Sequence, residues 1–573
     1  MTISEKYIEF LQEEKELLIK QEIENKTLSD DEKIAKGFLI TDCKLTQLNG
    51  DKVFFICNDN NSKFKMGDSV IVTNSMSKEI SCKIIENCDN EIIIESKNKT
   101  FFKQTDIYQI SGTTFNQHDI LIELLQKIVR GAPGYSFLQY LDVTNQSIIF
   151  PSLQNEKLAL SSDIIDKYTA NLDSTNKRII SQVLQKPSVF CIQGPPGTGK
   201  TTTLATIANI LYQEKTSILI LANTHQAVNN ALSRIKNLNK DAVVIKIGQP
   251  LKNENLDTNC IPIERDYNSY RKRMEKNNKS YKKQKEIIGM TMATALVQMG
   301  KKTSNYYPEV LLIDEASQIT LPASSVLGLY KAPCIIFFGD DKQMPPIFTL
   351  EKSPFNISVF EYLKNKYPNN CMILDKSYRL NESICSLINE YFYTEGRLEK
   401  LFISKNIKQF SINIGLIREP KLKKIFDSKE SLFCIVNEDT LSQDRNLVEV
   451  NEIVNLVKGL KTCDIKDNQF CIVTPYRRQV KEIRNGISNI YEKNPIVDTV
   501  ERVQGIDTDL VICSICSSEI KWIKQFEDFL FNKNRINVML SRARYKIIIL
   551  CSENILKFEN YFSDMIKQRF IMV

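Results

Sequence analysis

The residues whose types and spacing most clearly predict chemistry form a glycine-rich run after an apolar stretch. The run fits the pattern G-x-x-x-x-G-K-T, and the apolar residues 188–192 before it and the helix-periodic residues 202–211 after it predict strand, loop and helix. In that setting backbone N–H groups and a helix N-terminus converge on phosphate oxygens. Lys200 would bridge the β- and γ-phosphates, and the Thr201 hydroxyl would ligate magnesium. The sequence therefore predicts a nucleoside triphosphate site made of Gly194, Pro195, Pro196, Gly197, Thr198, Gly199, Lys200, Thr201 and Thr202.

Two further polar clusters follow apolar runs. Asp314 and Glu315 end the run 310–313, where Asp314 would hold magnesium through water and Glu315 would polarise the attacking water. Gln343 lies in a G-D-x-x-Q-x-P-P run that begins at Gly339, where its amide would sense the γ-phosphate. A strand-end cap is the alternative for the carboxylate pair, but its position after the glycine-rich loop favours catalysis.

The elements that must position these residues are parallel sheets. From about residue 172 onward, non-alternating apolar strands alternate with helical segments, which predicts sheets covered on both faces. The strands are too many for one small sheet, and the composition breaks near 351–354, so two α/β domains are expected. Residues 1–35 are helix-like, 37–110 carry short apolar alternations typical of a small β-barrel, and 113–145 return to a helical period.

Composition limits the class of protein. Of the 573 residues, 42% are hydrophobic and 25% charged, as in soluble globular proteins. The N-terminus lacks a signal pattern and no apolar run could span a membrane, so we expect a cytoplasmic location and no membrane partner. The 15 cysteines are scattered in apolar runs, which indicates reduced core thiols; with only two histidines, a histidine-based metal site is not expected.

The net charge of +7 is concentrated in one segment. Residues 265–285 hold nine basic residues against Asp266 and Glu275, with three tyrosines interspersed. Such a segment suits a phosphate backbone, and a solvated surface helix is the alternative. The candidate contacts are Arg271, Lys272 and Arg273.

Further motifs follow in a recognisable order: 374–379, 473–479, 499–507 and 535–544. With them, residues 172–555 resemble superfamily 1 helicases, and the wording of the glycine-rich loop and of Ser377-Tyr-Arg379 is similar to the 5′→3′ branch of the nonsense-mediated-decay and immunoglobulin-mu-binding helicases. The resemblance implies an α/β fold of two tandem RecA-like parallel-sheet domains, a helical stalk, a small β-barrel and a short basic helical insertion. The expected boundaries are 1–36 for a stalk helix, 37–112 for the barrel, 113–171 for stalk helices and linker, 172–352 for the first RecA-like domain with the insertion at 250–286, and 353–573 for the second.

The resemblance also implies roles for individual residues. Tyr378 would stack on adenine, and Arg379 and Arg542 would reach the γ-phosphate as arginine fingers. Asn176 stands where the family usually has a glutamine that pairs with adenine, and Asp507, after Gly505, where a glutamate contacts ribose. Nucleic acid would be touched by Thr224, Thr291, Pro475 and Thr499.

Together these expectations describe an ATP- and Mg²⁺-dependent motor. We expect a monomer that translocates 5′→3′ on single-stranded RNA or DNA and unwinds duplexes or remodels nucleoprotein. A nucleic-acid-dependent ATPase that acts as a clamp in a ribonucleoprotein is the main alternative. A nucleotide-dependent signalling switch without nucleic acid is the third, and the complete motif set disfavours it.

Overall fold

A computed structural model describes most of the chain. The described residues are 2–57, 60, 62, 64, 68–88, 91–112, 117–131, 135–142, 162–249, 252–253, 255–264, 267–277, 285–300, 306–393, 402–403, 419–427 and 429–573. Part of the basic segment, 278–284, and Arg265 and Asp266 therefore lie outside the described residues.

The N-terminal part is a long helix followed by a closed barrel. Thr2 begins the first helix with a capping box, because its side chain accepts from the Glu5 amide while Glu5 accepts from the Thr2 amide. The barrel strands pair in the order β1-β2-β5-β4-β3-β6, and in β2 the side chains of Val53 and Phe55 alternate into the barrel core. The elements are α1 (Ile3–Thr27), α2 (Asp30–Ala35), β1 (Leu39–Asn49), β2 (Lys52–Ile56), β3 (Ser69–Thr73), β4 (Glu79–Cys88), β5 (Glu91–Glu95) and β6 (Ile107–Gly112).

Among the described residues between the barrel and the first α/β sheet there are four α-helices. The apolar face of α3, which includes Leu121, Leu124 and Leu125, is buried in the same core as Tyr7 of α1. The Tyr7 hydroxyl donates to the Leu141 carbonyl at 2.7 Å, so a buried polar group is satisfied. The helices are α3 (Gln117–Val129), α4 (Tyr135–Leu138), α5 (Ser162–Thr169) and α6 (Ser174–Leu184).

The first α/β sheet has eight strands in the order β10-β9-β11-β8-β12-β13-β7-β14. The pairs from β10 through β13 are parallel, and strands such as β8 and β12 are buried along their whole length, which explains their unbroken apolar sequences. The elements are β7 (Val189–Gln193), α7 (Lys200–Gln213), β8 (Ile218–Ala222), α8 (His225–Leu238), β9 (Val244–Ile247), β10 (Ile261–Ile263), α9 (Tyr267–Asn277), β11 (Ile287–Thr291), α10 (Met292–Gly300), β12 (Val310–Ile313), α11 (Leu321–Ser325), β13 (Cys334–Gly339), α12 (Val359–Lys366) and β14 (Cys371–Ile373).

The second α/β sheet has six parallel strands in the order β19-β18-β20-β21-β17-β22, and a separate pair joins β15 to β16. The elements are β15 (Lys376–Ser377), α13 (Glu382–Phe392), β16 (Phe402–Ile403), α14 (Pro420–Asp427), β17 (Leu432–Asn437), α15 (Leu447–Thr462), β18 (Phe470–Thr474), α16 (Arg477–Ile487), β19 (Ile496–Thr499), β20 (Thr508–Ser514), α17 (Ile520–Gln525), α18 (Glu527–Leu530), α19 (Lys533–Leu540), β21 (Ala543–Ser552), α20 (Glu553–Lys557), α21 (Tyr561–Arg569) and β22 (Ile571–Met572).

The chain divides into two compact units. The first comprises 1–192, 201–339 and 346–372, and the second comprises 193–200, 340–345 and 373–573. The predicted α/β class with two parallel-sheet domains and a small barrel is confirmed, and the stalk, the insertion and the domain boundaries stay predictions. Among the described residues, no helix is both long and apolar enough to cross a membrane.

The second unit contains a buried acid that makes its stability depend on pH. Glu449, in the first turn of α15, is fully buried and accepts from the Ser514 hydroxyl at 2.6 Å and the Cys516 amide at 3.1 Å. Burial raises the pKa of its carboxyl to about 8, although these hydrogen bonds oppose the rise. The folded state thus holds a proton that the unfolded chain releases at lower pH.

We predict that Glu449→Gln flattens the pH dependence of stability. Because the folded pKa is raised, the stability that the protonated acid contributes is complete below its ordinary pKa and is lost as pH rises through about 8. The loss in the wild type should exceed the loss in the variant by an amount on the order of a few kcal/mol. Urea unfolding at about pH 6 and about pH 9 measures it. Glu492→Gln, at an exposed glutamate of the same unit, is the control, and an equal pH dependence in wild type and Glu449→Gln would contradict the assignment.

Candidate nucleotide and nucleic-acid site

The glycine-rich loop connects the end of β7 to the start of α7. Gly197 and Gly199 have φ of +74° and +81°, a backbone region that side chains disfavour, and a Cβ at Gly194 would lie 2.9 Å from the Lys200 Cβ. The Thr198 hydroxyl donates to the Pro195 carbonyl at 2.8 Å and closes the turn. Since Lys200 is the first residue of α7, the loop has the form of a phosphate-binding loop at a helix N-terminus.

Within the second unit, the loop is held by the segment that carries Tyr378 and Arg379. The Ser377 hydroxyl donates to the Pro196 carbonyl at 3.0 Å, and the Tyr378 amide donates to the Gly197 carbonyl at 2.8 Å. A Cβ on Gly197 would stand 2.5 Å from the Arg379 Cβ. Only glycine therefore allows this close approach, and two hydrogen bonds hold the arginine-bearing segment directly against the loop.

Asp340 joins Gln343 to the same loop. The buried Asp340 carboxylate accepts from the Gln343 amide at 2.7 Å, from the Tyr393 hydroxyl at 2.5 Å and from the Gln193 amide at 3.2 Å. Burial raises the pKa of Asp340 to about 6, assisted by the neighbouring Asp341 and opposed by these donors. The carboxylate fixes the orientation of Gln343 and links it to the last residue of β7.

Arg379 lies in an ion-pair network around Asp507. The guanidinium is 3.7 Å from Asp507, whose other oxygen accepts from Arg544 Nε at 3.0 Å. Burial opposes ionisation of Asp507, but Arg379 and Arg544 together hold its pKa below the ordinary value. Asp507, predicted to contact ribose, is thus paired with two arginines here.

Arg542 is more deeply buried than Arg379. Only 3% of it is exposed, and its guanidinium donates to the Val538 carbonyl at 2.9 Å, the Ile506 carbonyl at 3.2 Å and the Ser541 hydroxyl at 3.2 Å. The predicted second arginine finger therefore also anchors the turn between α19 and β21.

In the first unit, Asp314 and Glu315 follow β12 directly. Asp314 is 2% exposed, its amide donates to the Leu221 carbonyl at 2.7 Å, and its carboxylate accepts from the Glu315 amide at 2.9 Å. Glu315 is less buried and has φ of +52°, a strained conformation for a residue with a side chain, as is frequent at functional sites. The turn separates two adjacent carboxylates into a buried and a more accessible one.

The residues present fit ATP with Mg²⁺. The loop supplies backbone donors that only glycine geometry allows, and Mg²⁺ typically needs few protein ligands beside phosphate oxygens and water. Thr201 and Asp314 carry oxygen donors of that kind, and the described residues contain no cluster of three or more metal-ligating side chains.

The other predicted nucleotide residues are placed as follows. Asn176 is 3% exposed near the start of α6, where its backbone N–H donates to the Asp173 carboxylate at 3.0 Å. Tyr378 is 45% exposed, which leaves a ring face accessible for stacking. Gly505 has φ of +84° before Asp507. Thr202 lies in the first turn of α7.

The four residues expected to contact nucleic acid all lie at carboxyl ends of strands. Thr224 begins α8 just after β8, and Thr291 ends β11. In the second unit, Pro475 follows β18 and Thr499 ends β19, and Thr474 and Thr499 are neighbours in the parallel register. Each unit therefore carries two of the residues on one edge of its sheet.

The basic segment forms α9 as far as Asn277, and its three candidate residues differ. Arg271 donates to the fully buried Glu286 at 2.9 Å and to Glu275 at 3.0 Å, so its guanidinium is engaged within the chain. Lys272 and Arg273 are exposed on the same helix, as is Lys276.

Sequence reasoning missed Ser377, Tyr393 and Arg544 as parts of the site. Ser377 and Arg544 stood inside motifs that were recognised, so their position beside Arg379 and Arg542 was the available signal. Tyr393 offered none, because its contact with Asp340 spans 53 residues of sequence.

With this geometry described, two family models match, both described as an AAA domain, at residues 176–349 and 355–554. The DNA replication ATP-dependent helicase/nuclease DNA2 of Xenopus laevis is 27% identical over 75% of this chain and 40% of its own length. An uncharacterized ATP-dependent helicase of Methanocaldococcus jannaschii, MJ0104, is 25% identical over 73% of this chain and 74% of its own length. The chain therefore contains two AAA domains, and both of these relatives are named as ATP-dependent helicases.

The chain spans less than half of the length of the frog relative that it matches. A solved arterivirus helicase, nonstructural protein 10, superposes with a TM-score of 0.38 at 10% identity, over 89% of this chain and 78% of that one. The matches confirm the expected superfamily 1 type, and the 5′→3′ group stays a prediction.

We predict that replacing Arg542 by alanine mainly lowers stability, whereas replacing Arg379 by alanine mainly lowers ATP turnover. Arg542→Ala should lower the free energy of unfolding by about 1–3 kcal/mol, because it leaves buried carbonyl groups unsatisfied. Arg379→Ala should leave stability nearly unchanged, because its contacts are long, yet it should remove most ATP turnover. Urea unfolding and steady-state turnover of both variants measure this; equal loss of stability in both would contradict the assignment.

Proposed function

We propose that the chain is a nucleic-acid-stimulated ATPase that translocates 5′→3′ on single strands and unwinds duplexes or remodels nucleoprotein. The observation that carries the proposal is the attachment of the glycine-rich loop to the Ser377–Arg379 segment. Through that attachment a change at the phosphates reaches the unit that holds Pro475 and Thr499. A motor needs such a link between the site of ATP hydrolysis and the residues that contact nucleic acid.

At the nucleotide, each residue has a separate task. Lys200 and the loop amides would hold the phosphates, and Tyr378 would stack on adenine. Thr201 and Asp314 would hold Mg²⁺, which neutralises triphosphate charge when bound. Glu315 would take a proton from the attacking water, and the Gln343 side-chain amide would contact the γ-phosphate. Arg379 and Arg542 would stabilise the negative charge that develops on the transferred phosphoryl group.

In each unit the strand contacts would lie at the carboxyl edge of the sheet, at Thr224 and Thr291 in the first unit and at Pro475 and Thr499 in the second. Relatives named for DNA replication favour DNA over RNA as the strand. The 5′→3′ polarity rests on the resemblance of the glycine-rich loop and of Ser377-Tyr-Arg379 to that branch of superfamily 1.

We predict that Lys200→Ala abolishes ATP binding and turnover, because the phosphates lose their ammonium partner. Glu315→Gln should still bind ATP but turn it over about 100-fold or more slowly, because water activation is lost while the phosphate contacts remain. Nucleotide binding and ATP turnover, each measured with and without matched single-stranded DNA and RNA, test both. Near-normal turnover by Glu315→Gln, or no stimulation of the wild type by either strand, would contradict the proposal.

We predict that α9 contributes phosphate contacts through its exposed residues. Replacing Lys272, Arg273 and Lys276 by glutamine should weaken single-strand binding about equally for all base sequences and reduce the salt slope by about 2, because up to three contacts release counterions. The matched control replaces Lys461, Lys466 and Lys493, exposed lysines near the amino ends of β18 and β19. An unchanged affinity and salt slope would indicate that α9 is only a solvated helix.

A further inference from the structure

Four aromatic side chains form a cluster beside the end of β18. We call Tyr476, Trp522, Phe526 and Phe529 the aromatic platform. The Trp522 and Phe526 ring centroids are 4.4 Å apart, and those of Tyr476 and Phe529 are 5.4 Å apart. All four side chains are only partly buried, and Trp522 is the single tryptophan of the chain. The platform therefore presents ring surface to solvent at the margin of the second unit's core.

The two platform rings that carry polar atoms are hydrogen-bonded to each other. The Trp522 indole N–H donates to the Tyr476 hydroxyl at 3.1 Å, so the polar atoms of both rings are used within the cluster. Exposed ring faces bind another flat apolar surface best, and a nucleobase is such a surface, whatever its identity.

One edge of the platform carries basic side chains, of which Arg535 is ion-paired with Glu501. The Arg535 guanidinium carbon lies 3.9 Å from the Phe529 ring centroid, and Nη2 of this arginine is buried with no hydrogen-bond acceptor among the described residues. Lys521 and Lys524 are exposed on either side of Trp522 on α17. Cations beside stacking rings are typical of single-strand binding surfaces.

An excess of positive charge follows Tyr476 directly. Arg484 and Arg502 are each 3.7 Å from Asp498, and both crowd Arg477. Burial, and then repulsion by Arg502, lower the pKa of Arg477 to about 10. Arg477, Arg484 and Arg502 thus lie around Asp498 at the edge where Thr474 and Thr499 are neighbours, and an added phosphate would be attracted to such a group of arginines.

We propose that the aromatic platform stacks bases of a bound single strand, with Trp522 and Tyr476 as the stacking rings, while Arg477 and Arg502 hold the phosphates. The inference rests on the proposed function and deepens it, because it adds a base contact to a track otherwise formed by phosphate contacts. The occupant is the nucleobase of DNA or RNA, which share this chemistry.

Tryptophan fluorescence tests the platform directly, because Trp522 is the only tryptophan in the chain. The full chain is titrated with oligodeoxythymidylate, with oligouridylate and with an abasic oligomer of the same length and charge, and binding is followed in parallel by anisotropy of labelled strands. We expect both base-bearing strands to quench the emission at saturation and the bound abasic strand to leave it unchanged. A base-bearing strand that binds without changing the emission overturns the platform alone, whereas a chain that binds no strand overturns the proposed function as well.

Affinity provides the second measurement. Trp522→Leu should bind base-bearing strands roughly 5- to 150-fold more weakly and the abasic strand as the wild type does, because one stacking contact is lost. Trp522→Phe should retain most of the affinity, since a ring remains. The control is Tyr307→Leu, at an exposed tyrosine before the amino end of β12. Equal weakening of abasic and base-bearing strands by Trp522→Leu would overturn the proposal, and unchanged unstimulated ATP turnover verifies that this variant is folded.

Discussion

The missing side chain of Gly197 is the constraint on which the rest of the site depends. A Cβ there would overlap the Cβ of Arg379 and the hydroxyl of Ser377 at 2.5 and 2.7 Å. Because it is absent, Ser377 and the Tyr378 amide bond directly to the loop carbonyls. The absence of a side chain at Gly197 therefore permits both the conformation of the phosphate-binding loop and the position of Arg379 beside it. Each side chain that the proposed mechanism takes from the second unit has its position defined relative to this loop.

Buried hydrogen bonds around Asp340 connect further residues to the glycine-rich loop. Asp340 satisfies Gln193, Gln343 and Tyr393 at once, and Tyr393 in turn accepts from the Asn537 amide at 3.3 Å on α19. A buried donor left without an acceptor is costly, so Gln343 cannot reorient without changes at its neighbours. The path from the loop to the helix that precedes Arg542 is thus made of obligatory hydrogen bonds.

Local patterns in the sequence predict the elements, and the structure adds their partners. Continuous apolar runs such as 310–313 and 470–473 identify buried parallel strands because both faces of each strand are covered. The glycine spacing predicts the loop. Three features were not predictable, because each depends on which side chains meet after folding. They are the ion pair between Asp507 and Arg544, the burial of Arg542, and the ion pair between Arg271 and Glu286. Charge counting treats Arg271 and Lys272 alike, whereas tertiary contacts distinguish them.

Strand displacement on tailed duplexes is the most direct test of 5′→3′ translocation. Two duplexes with identical base pairs carry a single-stranded tail on either the 5′ or the 3′ side, and release of a labelled strand is followed with ATP and Mg²⁺. A 5′→3′ motor would release the strand from the 5′-tailed duplex, release little from the 3′-tailed one, and release none when ATP is replaced by an analogue that is not hydrolysed. Strand-stimulated ATP turnover without release from either duplex would contradict a translocating motor and favour the clamp.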